Sequence, residues 1–188
     1  MGIVVARSAM SRAVAWSVTL ESPVAQPFSV NATLGIPPPT ETGHTDLAPQ
    51  CRDRVRATLL NSAEHWPPVE VQLSISGAPQ PTGIADLAVA VSVLAAVGEF
   101  RSTPLEKILF VAELGLDGAL RAVEGTWAAF DAAPLLGITY AVVPQSLLPE
   151  FGASTEFLVL GAPTLSAVLA WLRGTSALPC AGTHRWST

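Results

Sequence analysis

Apolar and polar residues alternate from Ala13 to Glu21, so that Val14, Trp16, Val18 and Leu20 fall on one side of an extended chain. A period of two is the signature of a half-buried strand. Ile3–Ala6 and Phe28–Leu34 read as two further strands, and the three together predict an antiparallel meander. Pro37, Pro38 and Pro39 then remove three backbone donors in succession, which predicts an exposed loop over 36–45. Leu47, Cys51, Val55 and Leu59 recur at every fourth position and predict a helix from Asp46 to Ser62, with Thr45 or Asp46 as its N-cap. Val69, Val71, Leu73 and Ile75 alternate through a strand ending at Ser76, and two prolines mark a turn over Gly77–Gly83.

The segment Ile84–Gly98 is apolar on nearly every side, the pattern of a helix buried at the centre of a domain. Thr82 can cap it, and Asp86 in its first turn suits the positive end of the helix dipole. Ile108–Leu114 and Ala119–Val123 flank Gly115-Leu116-Asp117-Gly118, and an Asp-Gly turn between apolar runs predicts a hairpin. A helix over Gly125–Leu136, strands over Thr139–Val143 and Phe157–Leu160, and a helix over Thr164–Arg173 stopped by Gly174 complete the pattern. Residues 175–188 have no period and read as a loose tail. Helices and strands alternate after residue 68, behind an initial cluster of strands. The expected architecture is therefore a two-layer α/β (α+β) domain with a mixed sheet over residues 1–174.

Composition narrows the function. Of 188 residues, 49% are hydrophobic and 13% are charged, against about 25% charged in an ordinary soluble domain. The apolar run from Ile84 to Val97 is interrupted by Asp86 and Ser92 and falls short of the roughly 20 residues that span a bilayer. Met1–Val18 has no continuous apolar core of the signal-peptide kind. With two cysteines far apart, read as reduced thiols, a cytoplasmic protein without membrane contact is expected. A formal charge of −5 argues against direct nucleic-acid binding, which needs a basic surface. Nine of the ten basic residues are arginine, and Lys107 is the one lysine. It lies between Glu106 and Ile108, so no phosphate-cradling GxxxxGK[ST] loop exists.

Few residues suggest chemistry. Arg52 and Arg56 lie one turn apart, with Asp53 and Arg54 between them, and form either a stripe for an anion or partner or a solvated helix face; the absence of further basic residues in the neighbouring sequence favours the second. Asp86, Glu113, Asp117 and Glu124 could be drawn as a carboxylate set, but capping, rim and turn roles account for each separately. His44, His65 and His184 share no spacing, and Cys180 with His184 supplies two ligands where structural zinc takes four. No cofactor or metal is expected.

Cys51-Arg52-Asp53-Arg54-Val55-Arg56-Ala57 followed by Asn61-Ser62, the strand Val69–Ser76, and the run Phe110–Gly125 together resemble the N-terminal domain of the ComM/YifB-type magnesium-chelatase-like AAA+ proteins. The likeness extends from Ile3 to Gly174. It rests on an "SRDRVR"-like helix segment and an "FxGELxLxGxLRxVxG"-like hairpin, each specific only in combination with the other. The resemblance implies the fold of the Lon proteolytic domain, ribosomal-protein domain-2-like. It also implies association with a ComM-like AAA+ ATPase linked to DNA uptake and recombination, here in a stand-alone, degenerate form.

Lon-type peptidases pair a serine nucleophile with a lysine base. In the resembling segment Pro79–Asp86 the serine position is Ile84, and the lysine position falls at about Trp127. The ComM-type loop bears a lysine and a Gly-Ser-Gly; here Gln80, Pro81 and Thr82 stand instead, ahead of Asp86. With Glu113 from the hairpin, Gln80, Thr82, Ile84, Asp86 and Trp127 outline a degenerate former site. The expectation is a non-catalytic interaction or assembly module whose partner is a ComM-like ATPase or a second copy. The alternatives are a degenerate Lon-like serine peptidase or hydrolase with an unmatched active site, and an inactive remnant.

Overall fold

A computed structural model describes residues 12–19, 25–35, 44–76, 83–100, 105–124, 126, 130, 137–151 and 157–181. Its strands are β1 (Arg12–Thr19), β2 (Gln26–Leu34), β3 (His44–Asp46), β4 (Val71–Ser76), β5 (Ile108–Phe110), β6 (Glu113–Leu114), β7 (Leu120–Arg121), β8 (Tyr140–Pro144) and β9 (Leu158–Ala162). The α-helices are α1 (Pro49–Asn61), α2 (Asp86–Ala96) and α3 (Leu165–Leu172). Seven strands form one sheet in the order β3-β4-β2-β1-β5-β8-β9, and β6 and β7 form a separate hairpin. The half made of β3, β4, β2 and β1 is antiparallel. From β1 through β5 and β8 to β9 every pairing is parallel. The sheet is mixed: α1 lies in the chain between the antiparallel partners β3 and β4, α2 lies between β4 and β5, and the β6–β7 hairpin lies between the parallel partners β5 and β8.

The period-2 alternation sorts side chains onto two faces. Ala15, Phe28, Val30, Leu73, Phe110 and Val142 pack towards the helical layer. Val18, Leu109, Ala141, Val143 and Val159 point the other way, where Phe151 and Phe157 cover them. Phe130 meets Phe151 edge-on, with ring centroids 4.7 Å apart, and stacks on Phe157 at 5.6 Å. Helix α2 lies at the middle of the first cluster, with every residue but Ala95 buried. Each fully buried Leu or Val there contributes about 1.5–3 kcal/mol of transfer free energy. Its one interior hydroxyl, Ser92, donates back to the Val89 carbonyl at 2.9 Å and so carries no unpaired donor.

Three elements differ from their sequence pattern. Helix α1 starts at Pro49 after Ala48, which has φ −56° and ψ 137°. Thr45 and Asp46, the expected caps, belong to β3 and pair with Ile75 and Ser74. Proline favours the first helical position and holds the preceding residue extended, so it moves the boundary past the candidate caps. The run Ile108–Leu114 divides in two. Ile108–Phe110 joins the large sheet, then the Val111 N–H donates to the Val142 carbonyl and Glu113–Leu114 turns away to pair with β7. Residues 179–181, within the stretch that reads as a tail, lie along β9: the Gly161 N–H donates to the Pro179 carbonyl and the Ala181 N–H to the Val159 carbonyl, both at 2.9 Å. An open strand edge and the apolar Leu178 and Cys180, which pack on the core, supply the reason. The expected strand Ile3–Ala6 and the helix over 125–136 lie outside the described residues, apart from Thr126 and Phe130.

Candidate functional site

Polar side chains on α1 recur at a spacing of three to four residues, Cys51, Arg54, Thr58 and then Asn61-Ser62, and so share one face of the helix. That face meets the start of α2 and the β6–β7 hairpin. Arg54 grips Asp86 with both arms of its fork: Nε to Oδ2 and Nη2 to Oδ1, each at 2.7 Å. The Cys51 thiol donates to Asp86 Oδ1 at 3.4 Å, and the Leu114 N–H reaches Asp86 Oδ2 at 3.4 Å. One helical turn on, the Thr58 hydroxyl lies within hydrogen-bond distance of the Arg54 carbonyl at 3.0 Å and the Gly115 carbonyl at 3.3 Å. Asn61 Nδ2 donates to the Leu116 carbonyl at 2.8 Å. Gly118, at φ 80°, lies so close to Ser62 that a Cβ there would approach its Oγ to 2.7 Å. The helix motif and the hairpin motif are thus two halves of one contact surface.

The electrostatics of this junction follow from its burial. The Asp86 side chain is 0% exposed, whereas that of Arg54 is 34% exposed. A carboxylate at that depth is tolerable only when paired and hydrogen-bonded. The hydrogen bonds it donates to Asp86, and then the charge of that carboxylate, hold the Arg54 guanidinium more firmly protonated than usual, with Glu113 adding to the effect. Burial pushes the Cys51 thiol up to about 12, and the neighbouring Asp86 charge adds to it. Cys51 is therefore a neutral, poorly nucleophilic thiol. Glu113 leans over the start of α2: a Cβ on Gly83 would stand 3.0 Å from its side-chain carbons.

Asp86 does not cap its helix. Residue Ala85 occupies the cap position with no side-chain bond, because the Asp86 carboxylate is committed to Arg54. Ile84, the expected counterpart of a Lon-type serine, is 0% exposed and belongs to the apolar cluster beneath β1 and β5. The backbone around it is also occupied: the Ala112 N–H donates to the Ile84 carbonyl at 3.2 Å and the Leu87 N–H to the Ala112 carbonyl at 3.4 Å. Lys107 is exposed, with Nζ 3.5 Å from the Gly137 carbonyl. Gln80, Thr82 and Trp127 lie outside the described residues.

Arg52 and Arg56 have different surroundings. Arg52 Nε is buried without a hydrogen-bond partner, and the Arg56 guanidinium stands 5.9 Å from the centre of the Trp66 ring, a cation–π contact. Asp117 serves its own turn, accepting from the Ala119 N–H at 3.1 Å, with Arg121 Nη2 3.7 Å away. Glu124 is exposed. Of the four carboxylates, Asp86 and Glu113 come together around Arg54. Among the described residues no group of three or more His, Cys, Asp or Glu side chains could hold a metal ion. Nor is any helix of those residues long and apolar enough to cross a membrane.

Arg54, the residue that fixes the junction, escaped the sequence reading, which singled out its neighbours. The available signal was Asp86 itself, the one acid of an otherwise apolar helix, because a buried carboxylate demands a cation.

The molecule is a two-layer α/β domain organised around a buried arginine–aspartate junction. A family model described as subunit ChlI of Mg-chelatase matches residues 40–146, which take in α1, α2, both partners of the ion pair and the hairpin. An uncharacterized protein of Mycobacterium tuberculosis is 36% identical over 154 residues, 80% of this chain and 31% of that protein. YifB of Escherichia coli is 32% identical over 152 residues, 79% of this chain and 30% of YifB. The competence protein ComM of Haemophilus influenzae is 31% identical over 134 residues, 70% of this chain and 26% of ComM. The chain belongs to the ComM/YifB-type magnesium-chelatase-like family. It spans between 26% and 31% of the length of these curated relatives.

Proposed function

We propose that this domain is a non-catalytic interaction or assembly module that works with a ComM-like AAA+ ATPase or with further copies of itself. The observation that carries the reading is the state of the α2 start. Where a Lon-type peptidase presents a serine, Ile84 is fully buried and the adjoining carboxylate is bound twice by Arg54. A nucleophile needs an accessible hydroxyl or thiolate beside a base. Here the nearby thiol, Cys51, is neutral and buried, and Asp86 is held as a structural anion. What the junction can do is hold α1, α2 and the hairpin rigidly together, which suits a surface that presents itself to a partner.

The name of the Haemophilus relative connects it with competence, and a role beside a DNA-handling ATPase follows for this chain as part of the same proposal. Co-purification of the tagged chain with a ComM-like ATPase, together with light scattering of the chain alone, tests it. A stoichiometric complex or a defined oligomer is the expected result. A monomer that binds no such ATPase would sink the module reading. Labelling of one site by a broad serine-reactive fluorophosphonate would restore the hydrolase.

A further inference from the structure

Strand β9 is the last strand of the large sheet, and the segment 175–181 closes its outer edge. Gly174 stops α3 at φ 73°, and the Thr175 N–H donates back to the Ala170 carbonyl at 2.9 Å. Further on, Cys180 lies antiparallel to Leu160. The closure is slight. Two backbone bonds make it, from the Gly161 N–H to the Pro179 carbonyl and from the Ala181 N–H to the Val159 carbonyl. Leu178 and Cys180 are half-buried against the core, whereas Thr175, Ser176, Ala177 and Pro179 are exposed.

The strand beneath this strap is built to pair with itself. The N–H and C=O of one strand residue point to the same side, so Val159 and Gly161 turn four backbone groups towards the edge. The strap bonds two of them, the Gly161 N–H and the Val159 carbonyl. Pro179, opposite Gly161, has no N–H to offer the Gly161 carbonyl. A second β9, turned about a two-fold axis at Leu160, sets Gly161 of each chain against Val159 of the other. That register pairs all four groups on both strands, and the contact is the same for both copies.

Side chains favour the same pairing. No charged residue stands between Glu156 and Arg173, so β9 lacks the lysines and other charges that keep open edges apart. Leu158, 50% exposed, shares a face with Leu160 by alternation and would lose apolar surface to water-free contact in the pair.

We infer that residues 175–181 are a strap that guards the domain against self-pairing, and that lifting it joins β9 to β9 of a second copy in one continuous sheet. The inference goes beyond the assembly reading and does not rest on it, because it concerns a contact that the intact chain keeps closed. Leu178→Asp together with Cys180→Asp, in the full chain, charges both side chains that anchor the strap. Light scattering should then show the mass doubling with concentration relative to the native chain, and adding Leu158→Lys should restore the native mass. Circular dichroism verifies that the variants fold. A folded double variant that keeps the native mass, or a doubling that Leu158→Lys leaves in place, overturns the inference. Hydrogen exchange on the native chain tests it without any substitution. The Gly161 amide, bonded to the strap, should exchange about tenfold or more faster than the Leu160 amide, which faces β8 as the Leu158 N–H does in donating to the Thr139 carbonyl. Equal rates overturn the inference, since the strap would then open only with the sheet. A native monomer that binds no ATPase sinks the assembly reading alone.

Discussion

Replacing Arg54 by alanine tests the junction most directly. The substitution removes both bonds that Asp86 receives from the guanidinium, at 2.7 Å each, and leaves the carboxylate, 0% exposed in the native structure, with the Cys51 thiol and the Leu114 N–H as its partners among the described residues, both at 3.4 Å. Breaking a buried pair by removing one partner costs about 3–5 kcal/mol, since the stranded charge keeps its desolvation cost. Partial exposure of Arg54 puts the expected value at the low end, about 3 kcal/mol. For a domain of this size that corresponds to a fall in Tm of roughly 6–12 °C. Urea unfolding followed by tryptophan fluorescence measures it, and the chain has five tryptophans to report. The double variant Arg54→Met, Asp86→Leu should recover most of the loss, since nothing charged remains buried. A loss below about 1 kcal/mol would refute the description of Asp86 as a buried carboxylate dependent on Arg54.

Cys51, with its thiol pushed up from 9.0 to about 12, favours the folded state while protonated, so its contribution is complete below about pH 9 and is lost as pH rises towards 12. In native protein at about pH 8, a thiol reagent should label Cys180 well before Cys51; equal rates would show that Cys51 is accessible. Gly118→Ala should destabilise by about 1–3 kcal/mol, because a Cβ meets Ser62 Oγ at 2.7 Å on a backbone at φ 80°; a thermal melt unchanged from wild type would mean that the hairpin tip can move off α1.

Much of the architecture is written in local pattern. The alternation in β1, β2 and β4 fixes which residues face the helices, and the uninterrupted apolarity of 84–98 marks α2 as the central helix because only burial on all sides suits such a segment. The capping turn of α3 is equally local: Thr164 accepts from the Ala167 N–H at 3.3 Å, and Gly174 ends the helix at φ 73°. The start of α1 was locally encoded as well, but in Pro49 rather than in the capping residues before it.

By itself the sequence determined the layered mixed α/β class and the family likeness carried by the helix and hairpin motifs, since each depends on residue type and spacing along the chain. Tertiary structure alone decided which cation answers Asp86. Arg54 and Asp86 are 32 residues apart, on helices whose periodicities predict burial but name no partner. The same holds for the departure of β6 from β5 and for the pairing of residues 179–181 with β9, where the open hydrogen-bond donors and acceptors of distant strands made the choice.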